Sequence, residues 1–204
     1  MVRYAPGHKD KTRRRILSAA SRRFRAKGYR ASGVDDVMKA AGLTPGGFYA
    51  HFPSKQALLA ETLGPSLLQV RQQLLGGIED LNDADRLRAI VGRYLSRSHR
   101  DHPAAGCSLP ALAGEIGREG SPARQALQGY LQQLVAELAP LTPPAAGLPP
   151  EDRVLATIAL LSGALMLARA VHDEPLSNRI LRAARRLAVP ETAEAANAEE
   201  TARH

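Results

Sequence analysis

The chain is poor in cysteine, in acidic residues near its start, and in any pattern of alternating polar and apolar positions. Among its 204 residues the single cysteine, Cys107, excludes an internal disulfide framework and makes a reducing cytosol the natural setting. The first sixty residues hold three Asp and Glu against thirteen Lys and Arg, a net charge of +10. The remainder holds seventeen acidic and fifteen basic residues, a net charge of −2. A basic block confined to one segment points to a polyanionic partner, nucleic acid first and an anionic membrane second. The basic start, "MVRYAPGHKDKTRRR", leads into no apolar run, so no signal peptide is expected. The most apolar stretch, about 154–171, contains Thr157, Ser162 and Arg169. Its length permits a membrane span, but a helix apolar on most sides is read first as one buried between other helices. No repeat of 20–50 residues and no phosphate-loop motif is present.

What is present is helical periodicity. The first helix spans about 10–27, with Ile16, Ala20 and Phe24 as its apolar stripe, widened by Leu17 and Ala19. Arg13, Arg14, Arg22, Arg23 and Arg25 form its other face, and Gly28 is placed to end it. Ser32 can cap a short helix over about 34–41, which Gly42 closes. Thr44 and Pro45 open another short helix to about His51, and Ser54 caps a long one from Lys55 that meets Gly64-Pro65. Further helices are expected over about 83–100, capped by Asn82 or Asp83, then from Ser121-Pro122, from Pro149-Pro150 to about His172, and over about 176–188. "CSLPALAGEIG" is weakly helical, and "APLTPPAAGLPP" is a loop. The fold class is therefore all-α, about nine helices. Residues 1–53 form a basic three-helix domain and 54–189 a larger bundle. Residues 190–204 lack bulky apolar groups and read as a frayed tail.

The stretch "AGLTPGGFYAHFPSK" is unusual for a helix, because Gly46 and Gly47 each cost about 1 kcal/mol against alanine. A short helix, a tight turn with Gly42 and a second short helix make a helix-turn-helix, whose second helix enters the major groove by its N-terminal residues. Missing side chains there allow the backbone to approach DNA closely. Thr44 and Tyr49 remain to read bases, and Pro45 can touch a thymine methyl. Lys55, at a helix N-terminus, reads as a phosphate clamp, and Ser32 and Gly33 can act similarly. Tyr29, Arg30, His51 and the N-terminal cations are further phosphate candidates. The plainer alternatives are that Thr44 and Ser54 only cap helices, that Tyr49 packs, that His51 is a surface histidine and that Lys39 has no role.

"VDDVMKAAGLTPGGFYAHFPSKQALLAET" resembles the DNA-binding region of TetR-family bacterial transcriptional regulators. The likeness covers about Thr12 to Leu63 and includes "FRAKGYRASGV". Pro45, the Gly-Gly pair and Ser32-Gly33 depart from the commoner pattern and bear on the operator sequence. The resemblance implies a homodimer, usually a repressor on a palindromic operator, released when a small molecule enters the C-terminal domain. It also implies that helices about 151–172 and 176–188 form the dimer interface. The small residues of 154–171 support close helix approach independently. No catalytic motif, cofactor or metal is implied, and the cytoplasm is the expected location.

A pocket in such a bundle is mostly apolar with few polar groups. Tyr94, Cys107, Leu112, Ile116, Tyr130, Met166 and Arg169 are its candidates, with Arg169 able to pair an acid such as Glu115 or an anionic ligand. Cys107 reads as a buried small hydrophobe, with redox or electrophile sensing as the alternative. His99, His102 and Cys107 as metal ligands, Cys107 as an enzyme nucleophile, a membrane-surface role and an effector-free DNA-binding dimer are the competing readings.

Overall fold

Glycine, proline and short polar side chains set most helix boundaries in the computed structural model, which describes residues 7–142 and 147–189. Helix α1 (His8–Lys27) stops at Gly28, whose φ of 85° is left-handed and whose N–H reaches the Phe24 carbonyl at 2.9 Å. Helix α2 (Val34–Ala40) ends in a Schellman turn around Gly42, φ 67°. There Leu43 N–H donates to Met38 O and Gly42 N–H to Lys39 O, both at 2.9 Å. Pro45–Ala50 follows as a 3-10 turn. Helix α3 (Lys55–Leu75) begins with Ser54 Oγ accepting the Ala57 N–H at 3.0 Å, and it passes through Pro65 without interruption.

The single helix expected over 83–100 is two. Helix α4 (Asp83–Tyr94) is capped by Asn82, whose side chain accepts from Asp85 N–H at 3.0 Å and returns a bond to the Asp85 carboxylate at 2.8 Å. The chain leaves helical geometry at Leu95, ψ 27°, and Ser96 Oγ accepts the His99 N–H to start α5 (Arg97–Asp101). Then come α6 (Leu109–Ile116), α7 (Ser121–Leu138), α8 (Pro150–Ala170) and α9 (Glu174–Ala188), the last capped by Asp173 at 2.7 Å from Leu176 N. Among the described residues the fold is all-α, with nine helices and no strand. The tail expected at 190–204 and part of the Pro-rich loop, 143–146, lie outside the described residues.

Two compact units emerge. The first draws on the chain up to Gln73 and on His102–Ala136. Its core is Ile16, Phe24, Val37, Met38, Phe48, Phe52, Leu58, Leu59, Leu63, Leu67, Leu112 and Ile116, all fully buried or nearly so. The second draws on Leu74–Asp101 and on the chain from Glu137 onward. There α8 packs along α9, and Val91, Leu95, Val154, Leu161, Leu165 and Leu181 fill the interior.

The second unit also encloses His99. Its ring stands edge-on to Tyr94 at 4.8 Å, and its Nδ1 lies 2.7 Å from the Tyr94 carbonyl. Arg169 donates to the carbonyls of His99 (2.6 Å) and Arg100 (3.0 Å). Burial pushes the His99 pKa down and the Arg169 charge adds to this, while the Tyr94 carbonyl pulls it up. The folded state therefore takes up a proton at His99 less readily than the unfolded chain. Its stabilising contribution is intact above the ordinary histidine value of about 6.5 and is lost as pH falls through and below it. Unfolding free energy should drop between about pH 7 and pH 5, and His99→Gln should flatten that slope in denaturant titrations at the two pH values.

Candidate nucleic-acid interface

Helix α2 and the Gly42 turn are held from behind by α1, and Pro45–Ala50 packs on α2. Arg15 donates to the Ala41 carbonyl at 2.8 Å, closing the open end of α2, and Arg23 pairs with Asp36 at 3.0 Å. Phe48 is completely buried and stacks on Phe52 at 5.9 Å between ring centroids. The Arg13 guanidinium lies 4.6 Å from the Phe52 centroid and pairs with Glu61. With Phe48 turned inward, its neighbour Tyr49 must turn outward, edge-on to Phe48 at 5.1 Å and 74 % exposed.

The outer edge of this motif is bare. Thr44, Pro45 and Gly46 are exposed, and the Thr44 side chain caps no amide. A Cβ on Gly46 would meet nothing within 4 Å, and one on Gly47 would meet only the Met38 methyl at 3.7 Å. Neither glycine has a positive φ. Nothing inside the protein, therefore, calls for glycine at these two positions. The segment is a 3-10 turn rather than the α-helix expected, because two glycines and a proline leave it little helical propensity.

Several expected phosphate groups are placed differently. Ser32 is fully buried and donates its hydroxyl to the Gly28 carbonyl at 2.7 Å, so it neither caps α2 nor offers its side chain to a phosphate. Gly33 is instead the N-cap of α2, exposed and extended. Tyr29 is 6 % exposed and packs edge-on against Phe24, while Arg30 and Lys39 are exposed. His51 is partly buried, and burial, reinforced by Lys9, Arg13 and His8, pushes its pKa down. Arg25, expected on the solvated face of α1, is 5 % exposed and donates to the Ala104 carbonyl at 2.9 and 2.5 Å. Burial lowers its pKa.

Lys55 opens α3 as expected, but its ammonium lies 4.1 Å from the centre of the Tyr29 ring. Burial pushes its pKa down, and Glu119 and Glu115 pull it up. Glu115, near the end of α6, and Glu119, in the turn after it, were not visible as neighbours of Lys55 in the sequence. Their only signal was a spacing of four residues on a weakly helical segment far along the chain.

The candidate pocket residues divide between the two units. Cys107, Leu112 and Ile116 are buried in the first, with Tyr130 partly so. In the second, Tyr94 is buried with its hydroxyl 3.3 Å from Ser162 Oγ, Arg169 serves the His99 and Arg100 carbonyls, and Met166 is 51 % exposed. Glu115, suggested as an acid for Arg169, instead accepts from the backbone of Tyr29 and Arg30.

The family model for "Bacterial regulatory proteins, tetR family" matches residues 16–62, and "Tetracyclin repressor-like, C-terminal domain" matches residues 84–184. The chain belongs to the TetR family. Among curated TetR-like relatives, the transcriptional regulator LmrA of Bacillus subtilis is 29 % identical over 117 residues, 56 % of this chain and 62 % of LmrA. The regulator EthR of Mycolicibacterium smegmatis is 31 % identical over 129 residues, 62 % of this chain and 57 % of EthR. The match thus spans less than two thirds of either relative. Among solved structures, a TetR-family regulator from Cytophaga hutchinsonii superimposes with a TM-score of 0.75 at 19 % identity, over 93 % of this chain and 99 % of that one. Reduced NemR of Escherichia coli gives 0.72 at 22 % identity, over 89 % and 100 %. These two share the fold of this TetR-family chain.

The bare edge makes a sharp test. Gly46→Ala and Gly47→Ala should leave stability unchanged or raise it by up to about 1 kcal/mol per site. If the backbone there meets DNA, both should weaken operator binding, read by pairing thermal melts with fluorescence anisotropy.

Proposed function

We propose that this protein is a homodimeric repressor that binds a palindromic operator through the major groove and is released by a small molecule in its C-terminal domain. The observation carrying this reading is the exposed, side-chain-poor edge Thr44–Tyr49, presented by a helix-turn-helix whose only large inward side chain in that edge is Phe48. Thr44, Tyr49 and the Pro45 ring are the groups that read bases, and Gly46 and Gly47 admit the DNA backbone. Gly33 backbone, His51 and Lys55 meet phosphates. Residues 1–53 serve as the DNA-binding domain and 54–189 as the ligand-binding and dimerisation domain.

Dimerisation is supported by what α8 and α9 leave uncovered. The apolar stretch of α8 meets the length and composition of a membrane span, yet only 28 % of it is buried in one chain. Leu155, Met166 and Leu167 on α8 and Leu176 and Leu187 on α9 are between 44 % and 70 % exposed. Ser162, bonded to Tyr94, and Arg169, bonded to backbone carbonyls, suit a protein neighbour better than lipid. A second copy covers this face by an isologous contact, and the two reading edges then address half-sites one or more helical turns apart. The effector is a mostly apolar small molecule, bound either by a subset of Cys107, Leu112, Ile116 and Tyr130 in the first unit or by a subset of Tyr94, Met166 and Arg169 in the second. It acts through its different affinity for the DNA-competent and DNA-incompetent states. The setting is the cytoplasm.

Selection of bound sequences from a random duplex library, followed by release tests with hydrophobic compounds, tests the whole reading. Tyr49→Ala should abolish preference for the selected sequence. Lys55→Ala should weaken all duplexes alike and reduce the salt slope by about one. Wild-type behaviour of both variants in a salt titration would show that the docking face is elsewhere. Met166→Arg should convert a dimer to a monomer in sedimentation experiments, and an unchanged dimer would remove α8 from the interface.

A further inference from the structure

Glu115 stands at the end of α6, against the loop that joins α1 to α2. Its Oε1 accepts the Tyr29 N–H at 3.1 Å and its Oε2 the Arg30 N–H at 2.7 Å. Gly28 completes the seat, since a Cβ there would stand 2.7 Å from Oε1. One turn further, Glu119 faces Arg30 Nε at 3.7 Å and Gln56 Nε2 at 3.3 Å. A Cβ on Gly120 would come within 3.2 Å of the Gln56 amide. The end of α6 touches the segment leading into α2, and the turn after it touches the first turn of α3. Between these contacts the Tyr29 ring, fixed against Phe24 at 5.4 Å, carries the Lys55 ammonium on its face at 4.1 Å.

We propose that Glu115 is a positioning residue for DNA binding: its carboxylate fixes the Tyr29–Arg30 backbone, and through the Tyr29 ring it sets where the Lys55 ammonium stands. The proposal rests on the DNA-binding reading above. Two charge-assisted bonds from adjacent amides to one carboxylate fix the angle as well as the distance of the loop. A lysine side chain is flexible, and stacking on a tyrosine face holds it in one place. Electrostatics alone gives the opposite sign, because a carboxylate near the docking face repels phosphates and its removal should tighten binding. The direction of the effect therefore separates positioning from simple charge.

The test uses the full-length protein and a fluorescein-labelled, mixed-sequence duplex in salt titrations. In Glu115→Gln one of the two loop amides faces an NH2 group instead of an oxygen. Binding should weaken about tenfold, the scale of one lost charge-assisted hydrogen bond. The salt slope should fall by about one, and Glu115→Gln should cost nothing more in a Lys55→Ala background. Glu119→Gln removes the same charge without touching those amides, and it should bind as wild type or tighter. Should Glu115→Gln fail to fold, Tyr29→Leu keeps the bulk, removes the ring face and should lose the same share of the salt slope. Glu115→Gln binding as tightly as Glu119→Gln, losses that multiply with Lys55→Ala, or a wild-type slope in Tyr29→Leu would overturn the proposal. Wild-type protein that ignores the duplex at low salt would overturn the DNA-binding reading itself.

Discussion

Burial of Phe48 is the constraint on which the reading edge depends. Pro45–Ala50 is a single 3-10 turn with two glycines, and a segment of that composition has little to hold its shape alone. Phe48 is fully buried against the stacked ring of Phe52, and Arg13 covers Phe52 in turn. Everything on the outer edge follows from this one inward side chain. Tyr49 is driven outward, and the two glycines are left bare because the anchor does not need them. Rigidity and emptiness are supplied by neighbouring residues of the same turn.

The positive charge of the first third is less available than its count implies. Five arginines of α1 are engaged within the protein: Arg13 with Glu61, Arg15 with the Ala41 carbonyl, Arg22 with the Ser18 hydroxyl, Arg23 with Asp36 and Arg25 with the Ala104 carbonyl. Arg25 is buried beside neutral acceptors, including Ser66, whose hydroxyl lies 2.6 Å from that of Ser108. A planar guanidinium with five donors can serve several such acceptors at once, and an ammonium cannot match that fork. Part of what composition presents as a polyanion surface is the cement between α1 and its neighbours.

Local chemistry was legible in the sequence wherever one residue decides its own backbone. Gly28 and Gly42 end helices with positive φ, and Ser54, Asn82 and Phe48 behave as their types and spacing indicate. What escaped was decided at a distance. Arg25 looks solvated on a helical wheel, and only the arrival of Ala104 buries it. Ser32 has the residue type of a cap, but its hydroxyl donates to the Gly28 carbonyl and Gly33 stands at the N-cap of α2. At the break between α4 and α5 the His99 ring sits on the Tyr94 carbonyl, a contact that no periodicity reports. Tyr29, a phosphate candidate by its type and position, is the platform beneath Lys55.

The contacts that seat the α1–α2 loop join residues about eighty positions apart, Arg25 to Ala104 and Tyr29 and Arg30 to Glu115. On the ribosome the first seventy residues therefore emerge long before their bracing does. Until α6 has left the exit tunnel, the Arg25 guanidinium lacks its carbonyl and the loop amides lack their carboxylate. Contacts of such long sequence separation are slow to close. The segment proposed to touch DNA is made first and finished late, so a nascent chain halted before Glu115 carries that edge without the support that orients it.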